Sequence, residues 1–147
     1  TIARQLALYV TLYSPIQMAA DLPENYAKYP REFAFIKQVP TDWEETHTLM
    51  GEVADYAVMA RKERGGTDWY LGGVTDEEAR DVAVPLDFLD AGKTYTATIY
   101  RDGADADYRT DKRHSIAIET KTVKRGDTLD LRMAPGGGFA VRLVPAK

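Results

Sequence analysis

The stretch Pro135-Gly136-Gly137-Gly138-Phe139-Ala140-Val141-Arg142-Leu143 decides the fold, because three glycines run straight into an alternating apolar pattern. A glycine-rich loop that cradles phosphate needs a helix behind it, with the helix amides facing the anion. Here Phe139, Val141 and Leu143 recur at period two instead, which is the pattern of a half-buried strand.

The same period runs back through most of the chain. Leu129, Leu131 and Met133 show it, as do Ile116 and Ile118, then Tyr95, Ala97 and Ile99, and then Val82, Val84, Leu86 and Phe88. Trp69-Tyr70-Leu71 follows a Gly65-Gly66 hairpin signal, and Tyr56, Val58 and Ala60 precede it. Turn residues at Arg125-Gly126-Asp127 and Asp102-Gly103 separate several of these runs. About seven strands at this spacing predict a mainly β fold, an antiparallel β-sandwich. Thr75 to Arg80 opens with capping-box spacing and reads as one helical turn or a plain loop.

Before Thr48 the pattern differs. From Ala3 to Tyr13, Leu6, Ala7, Val10 and Tyr13 recur at helical spacing, while Leu8, Tyr9 and Leu12 carry apolar character onto the other face. Such a helix calls for cover nearly all round, more than a short chain supplies. Pro15 ends it, and Ile16 to Ala20 reads as a short buried strand before the Asp21-Leu22-Pro23 turn. A second helix is expected from about Pro30 to Pro40, with Phe33, Ile36 and Phe35 on its apolar side. Thr41-Asp42-Trp43-Glu44 has the spacing of a further helical turn. Helix, buried strand and polar turn form the unit of an α/β barrel. The expected division is therefore 1–48, the end of such a barrel, and 49–147, the all-β domain.

Composition narrows the chemistry. With 19 Lys and Arg against 23 Asp and Glu, the net charge of −4 offers no long-range attraction to nucleic acid or anionic membranes. Cysteine is absent, so the chain has no disulfide, thiolate ligand or cysteine nucleophile. No apolar run approaches the roughly 20 residues of a membrane span. The first residues show no basic stretch followed by an apolar one, and since the chain opens at Thr1 without a methionine that absence is uninformative about targeting.

Few residues carry catalytic patterning. Ser14 and Ser115 lack a nucleophile-elbow setting, and His47 and His114 lack metal-ligand spacing. Asp102, Asp105, Asp107 and Asp111 suggest calcium by composition, but their spacing departs from the EF-hand pattern and favours a solvated hairpin loop. Asp21 and Glu24 follow the expected strand at its C-terminal end, where barrel enzymes keep their active sites, so they are candidates for the substrate rim. The same residues also fit a helix start, with Asp21 as cap. Trp43 and Trp69 are candidates for stacking on sugar rings, against a competing reading as core aromatics.

Several segments together resemble the C-terminal region of glycoside hydrolase family 97. They are Gln5 to Val10, Ser14 to Tyr26, Phe35-Ile36-Lys37-Gln38-Val39-Pro40-Thr41-Asp42-Trp43-Glu44-Glu45-Thr46, Asp68-Trp69-Tyr70-Leu71-Gly72, Tyr100-Arg101-Asp102-Gly103 and Ala134 to Phe139. The resemblance implies an α-glucosidase or α-galactosidase parent with an N-terminal sandwich, a central (β/α)8 barrel and a C-terminal all-β domain that helps subunits associate. It implies paired catalytic carboxylates and a glutamate-bound calcium ion in the parent, all upstream of this stretch, and export to the periplasm. No catalytic or metal residue is carried onto this chain, which alone is expected to be inactive. Its implied partners are the remainder of the enzyme, further copies of it and the parent's oligosaccharide substrate. The competing reading is a free-standing carbohydrate-binding β-sandwich module.

Overall fold

All seven expected strands are present in the computed structural model, which describes residues 1–146, and an eighth precedes them. In chain order the elements are α1 (Ile2–Thr11), α2 (Pro23–Tyr26), α3 (Pro30–Gln38), β1 (Trp43–Glu52), β2 (Tyr56–Glu63), β3 (Trp69–Thr75), β4 (Arg80–Pro85), β5 (Thr94–Asp102), β6 (Ile116–Lys124), β7 (Thr128–Met133) and β8 (Gly138–Pro145). A 3-10 turn at Asp111–His114 interrupts the long β5–β6 connection.

Six strands form one antiparallel sheet in the order β1-β2-β3-β8-β5-β6, and β4 pairs with β7 in a second, two-stranded sheet. The glycine-led strand β8 lies inside the large sheet, between β3 and β5. Its register sets Phe139 opposite Gly73, and Val141 opposite both Leu71 and Ile99. Period two then divides the residues between two cores. Trp69, Leu71, Ile99, Phe139, Val141 and Leu143 join Val84, Leu129, Leu131 and Met133 of the small sheet in the larger core. On the opposite face, Tyr70, Tyr100 and Ala140 pack with Leu6 and Val10 of α1, Phe35 of α3 and Trp43 of β1.

Helix α1 lies close to the sheet because both partners are small at the crossing. Ala3, Ala7 and Val10 are fully buried, and Ala140 and Gly72 lie beneath the helix. A Cβ on Gly72 would stand 2.8 Å from Val10 Cβ, closer than real contacts come, and a tight 3.0 Å from the Ala7 carbonyl oxygen.

The glycine loop is pinned by a buried aspartate. Asp102, 3% exposed at the end of β5, accepts hydrogen bonds at Oδ2 from the backbone N–H of Ala134 (2.9 Å) and Gly138 (2.8 Å). A side chain at Gly137 would collide with that same carboxylate oxygen, and Gly136 adopts φ +60°. The run of glycines thus serves a tight turn that wraps a carboxylate. Asp102 therefore belongs to the protein interior, apart from the acidic loop in which the sequence pattern grouped it.

Two local expectations are corrected. Ile16 to Ala20 forms no strand; the segment is irregular and mostly exposed, and no strand pairs with it among the described residues. Thr41 to Glu44 is no helical turn, because Trp43 starts β1 and its ring turns inward to meet Tyr70 edge-on at 5.5 Å. Period two accordingly begins about five residues before Thr48, disguised by two irregularities in this edge strand, at Trp43/Glu45 and Thr48/Met50. Thr75 to Arg80 takes the loop form, with Asp76 tied to Arg80 and to the Glu78 amide.

Candidate functional site

Apolar side chains left in solvent concentrate in one part of the chain. Leu12, Tyr13, Ile16, Met18, Leu22 and Tyr29 are all exposed, Met18 to 78% and Tyr13 to 76%. Six such residues within one connection between α1 and α3 are more than a lone soluble domain ordinarily presents. The connection is held by short-range bonds: Tyr9 Oη donates to the Met18 carbonyl (3.0 Å), and Gln17 Nε2 to that of Leu12 (3.3 Å). Behind it lies a largely apolar cavity of about 340 Å³, lined by Leu6, Tyr9, Met18, Tyr26, Phe33 and Ile36. Tyr26 stacks on Phe33 at 4.5 Å along this wall.

Asp21 and Glu24 lie on the same exposed stretch. Asp21 Oδ1 accepts from Asn25 Nδ2 (2.6 Å) and from the Leu22 amide (2.7 Å), and these bonds hold its carboxyl below the usual aspartate range, the asparagine contributing most. The expected capping role is corrected: the one-turn helix α2 has Leu22 at its cap position with no side-chain cap bond, and Asp21, one residue earlier, ties the Asn25 side chain instead. Glu24 occupies the first turn of the same helix.

The tryptophans are interior. Trp69 is 1% exposed and packs against Phe88 (5.0 Å) and His47 (5.6 Å) in the larger core. Trp43 is 7% exposed, between Tyr70 and the guanidinium of Arg61. Neither leaves a ring face free for a sugar, so the reading as core aromatics holds and the candidate stacking role is replaced by packing. The histidines stand apart: His47 bonds Glu45 (3.1 Å), and His114 lies over Tyr29 (6.3 Å).

The acidic loop is neutralised from within. Asp105 pairs with Lys112 (2.8 Å) and accepts from Ser115 Oγ (2.5 Å), in that order the causes that lower its carboxyl to about 2. Asp107 pairs with Arg109 at 2.9 Å. Carboxylates already matched to bases do not fit a calcium cage, and no trio of His, Asp or Glu converges to hold a metal ion among the described residues.

One buried charge escapes any sequence signal. Arg61, 3% exposed on β2, lies on the α1 side of the sheet between the rings of Trp43 (5.6 Å) and Tyr13 (5.9 Å). Within the alternation of β2 it reads as an ordinary solvent-facing residue between Ala60 and Lys62.

Comparison with known proteins agrees with this geometry. Residues 42–144 match the family model described as glycosyl-hydrolase 97 C-terminal, oligomerisation. The chain is 43% identical to a retaining alpha-galactosidase of Bacteroides thetaiotaomicron over 143 residues, 97% of this chain and 21% of that protein. It is 35% identical to a probable retaining alpha-galactosidase of Streptomyces bingchenggensis, over 94% of this chain and 20% of that protein. A glycoside hydrolase family 97 enzyme from Pseudoalteromonas sp. strain K8, solved with acarbose, superposes with a TM-score of 0.97 at 51% identity. The match covers all of this chain and 23% of that one. The chain thus spans about a fifth of the length of the curated relatives it matches.

Proposed function

Because this chain belongs to the glycosyl-hydrolase 97 C-terminal, oligomerisation family, we propose that it is the non-catalytic C-terminal part of an α-galactosidase or α-glucosidase whose catalytic residues lie in the remainder. One observation carries the reading: the exposed apolar connection from Leu12 to Tyr29, on a chain that spans a fifth of its relatives. Apolar surface of this kind gains its stability by being covered, and the nearest cover is the rest of the same enzyme. The segment before Trp43 then completes the catalytic barrel and β1 to β8 form the appended β domain, a division about six residues earlier than 1–48 and 49–147, which would cut through β1. Asp21 and Glu24 belong at the barrel rim, as supports of its mouth, with the reacting carboxylates and any calcium ion in the upstream part. The β domain's outer surface serves contacts between copies, and the enzyme works in the periplasm.

Two measurements test this together. An antibody against this chain should detect a polypeptide several times larger than 16.4 kDa in the source cells. The purified large species should hydrolyse an aryl α-galactoside or α-glucoside, while the 147-residue chain hydrolyses neither. A native species of 16.4 kDa, or turnover by the short chain, would overturn the proposal.

A further inference from the structure

Arg61 is the only buried arginine among the described residues, and its Nε and Nη1 donate to no acceptor there. No carboxylate pairs with it among the described residues, and burial pushes the guanidinium below its ordinary value. Cation–π contacts with Trp43 and Tyr13 offset part of the cost of removing the charge from water, but they leave the donors unused. Tyr13, the outer of the two rings, is 76% exposed and starts the uncovered apolar connection. A desolvated guanidinium roofed by an exposed aromatic, beside an uncovered apolar connection, has the composition of an interface hot spot lacking its counterpart.

We propose that Arg61 is a charged anchor of the docking face, and that its occupant is a carboxylate carried by the upstream part of the same enzyme, which enters beneath or beside Tyr13. The inference rests on the reading of this chain as part of a larger hydrolase. Charge complementarity selects a carboxylate, because a planar fork with unused donors is met most fully by two oxygens in one plane. A neutral carbonyl would satisfy one donor and leave the charge unpaired.

The test compares one substitution in two contexts. Arg61→Met keeps length and apolar packing but removes the charge. In the 147-residue chain, where the charge has no partner, Arg61→Met should leave the urea midpoint unchanged or raise it. In the full-length enzyme the same change should expose the Leu12–Leu22 segment, with about 100-fold faster proteolytic cleavage there, as expected when one member of a buried pair is lost. Arg61→Lys should fall between, since it keeps the charge without the fork. An equal effect of Arg61→Met in both contexts overturns the anchor while leaving the docking reading intact. If the wild-type segment is cleaved as fast in the full-length enzyme as in the short chain, the docking reading fails as well.

Discussion

Replacing Asp102 with alanine should cost this domain a large share of its stability. The carboxylate is buried and takes both the Ala134 and Gly138 amides on one oxygen, at 2.9 and 2.8 Å. Hydrogen bonds to a charged acceptor contribute about 1.5–3 kcal/mol each, and alanine leaves both amides buried without a partner. A loss of about 3–5 kcal/mol follows, against a total of about 5–15 kcal/mol for a domain. With a urea slope of about 2 kcal/mol/M, the unfolding midpoint should fall by about 2 M. Asp102→Asn retains an oxygen of the same shape and should lose about half as much. The glycine turn cannot compensate, because Gly137 touches the carboxylate and Gly138 lies between the Gly73 carbonyl and α1. An alanine variant within about 1 kcal/mol of wild type, or an asparagine variant as damaged as alanine, would refute the view that this carboxylate organises the loop.

Other outcomes follow from the same geometry. Gly72→Ala should lower the free energy of unfolding by about 1–3 kcal/mol in the same assay, since its Cβ meets Val10 at 2.8 Å and must lift α1 off β3. Tyr70, whose hydroxyl donates to the Gln38 carbonyl at 2.9 Å, has its ionisation pushed up to about 12, chiefly by burial. Ultraviolet titration should therefore show one tyrosine ionising about two pH units late; the stability this adds is complete below pH 10 and lost as pH rises through about 12. Asp105 shifts the other way: its lowered value should appear as a carboxyl titration near pH 2 by NMR, and its pairing with Lys112 should persist from neutral pH down through 3.8 and be lost as pH falls through about 2. Lys112→Ala should return that titration toward the ordinary aspartate range.

Most of the β half was legible because the residues facing the larger core are apolar at every second position, so that Phe139, Val141 and Leu143 or Tyr95, Ala97 and Ile99 declare the period directly. Strand β1 was not. It is an edge strand whose Glu44, Thr46, His47 and Thr48 face water, and a chance capping-box spacing at Thr41 to Glu44 imitated a helix. Ile16 to Ala20 misled for the opposite reason. Its apolar run is genuine, but a run states only that cover is needed, and with no strand beside it in this chain no ladder forms. Helix α1 was half right: Ala3, Leu6, Ala7 and Val10 are buried, while Leu12 and the following Tyr13 wait in solvent. Asp102 and Arg61 escaped because their meaning depends on partners far along the chain. Asp102 answers amides 32 and 36 residues away. Arg61 is buried by Trp43 and Tyr13, 18 and 48 residues earlier in the chain, which lie over a face that β2 would otherwise show to water.

Hydrogen exchange across residues 12–29, measured in the short chain and in the full-length enzyme, addresses the central claim most directly. If this connection is a docking face, its amides exchange freely in the 147-residue chain and at least about 100-fold more slowly in the intact enzyme, while the β8 amides are protected in both. Equal exchange of residues 12–29 in the two proteins would contradict the account.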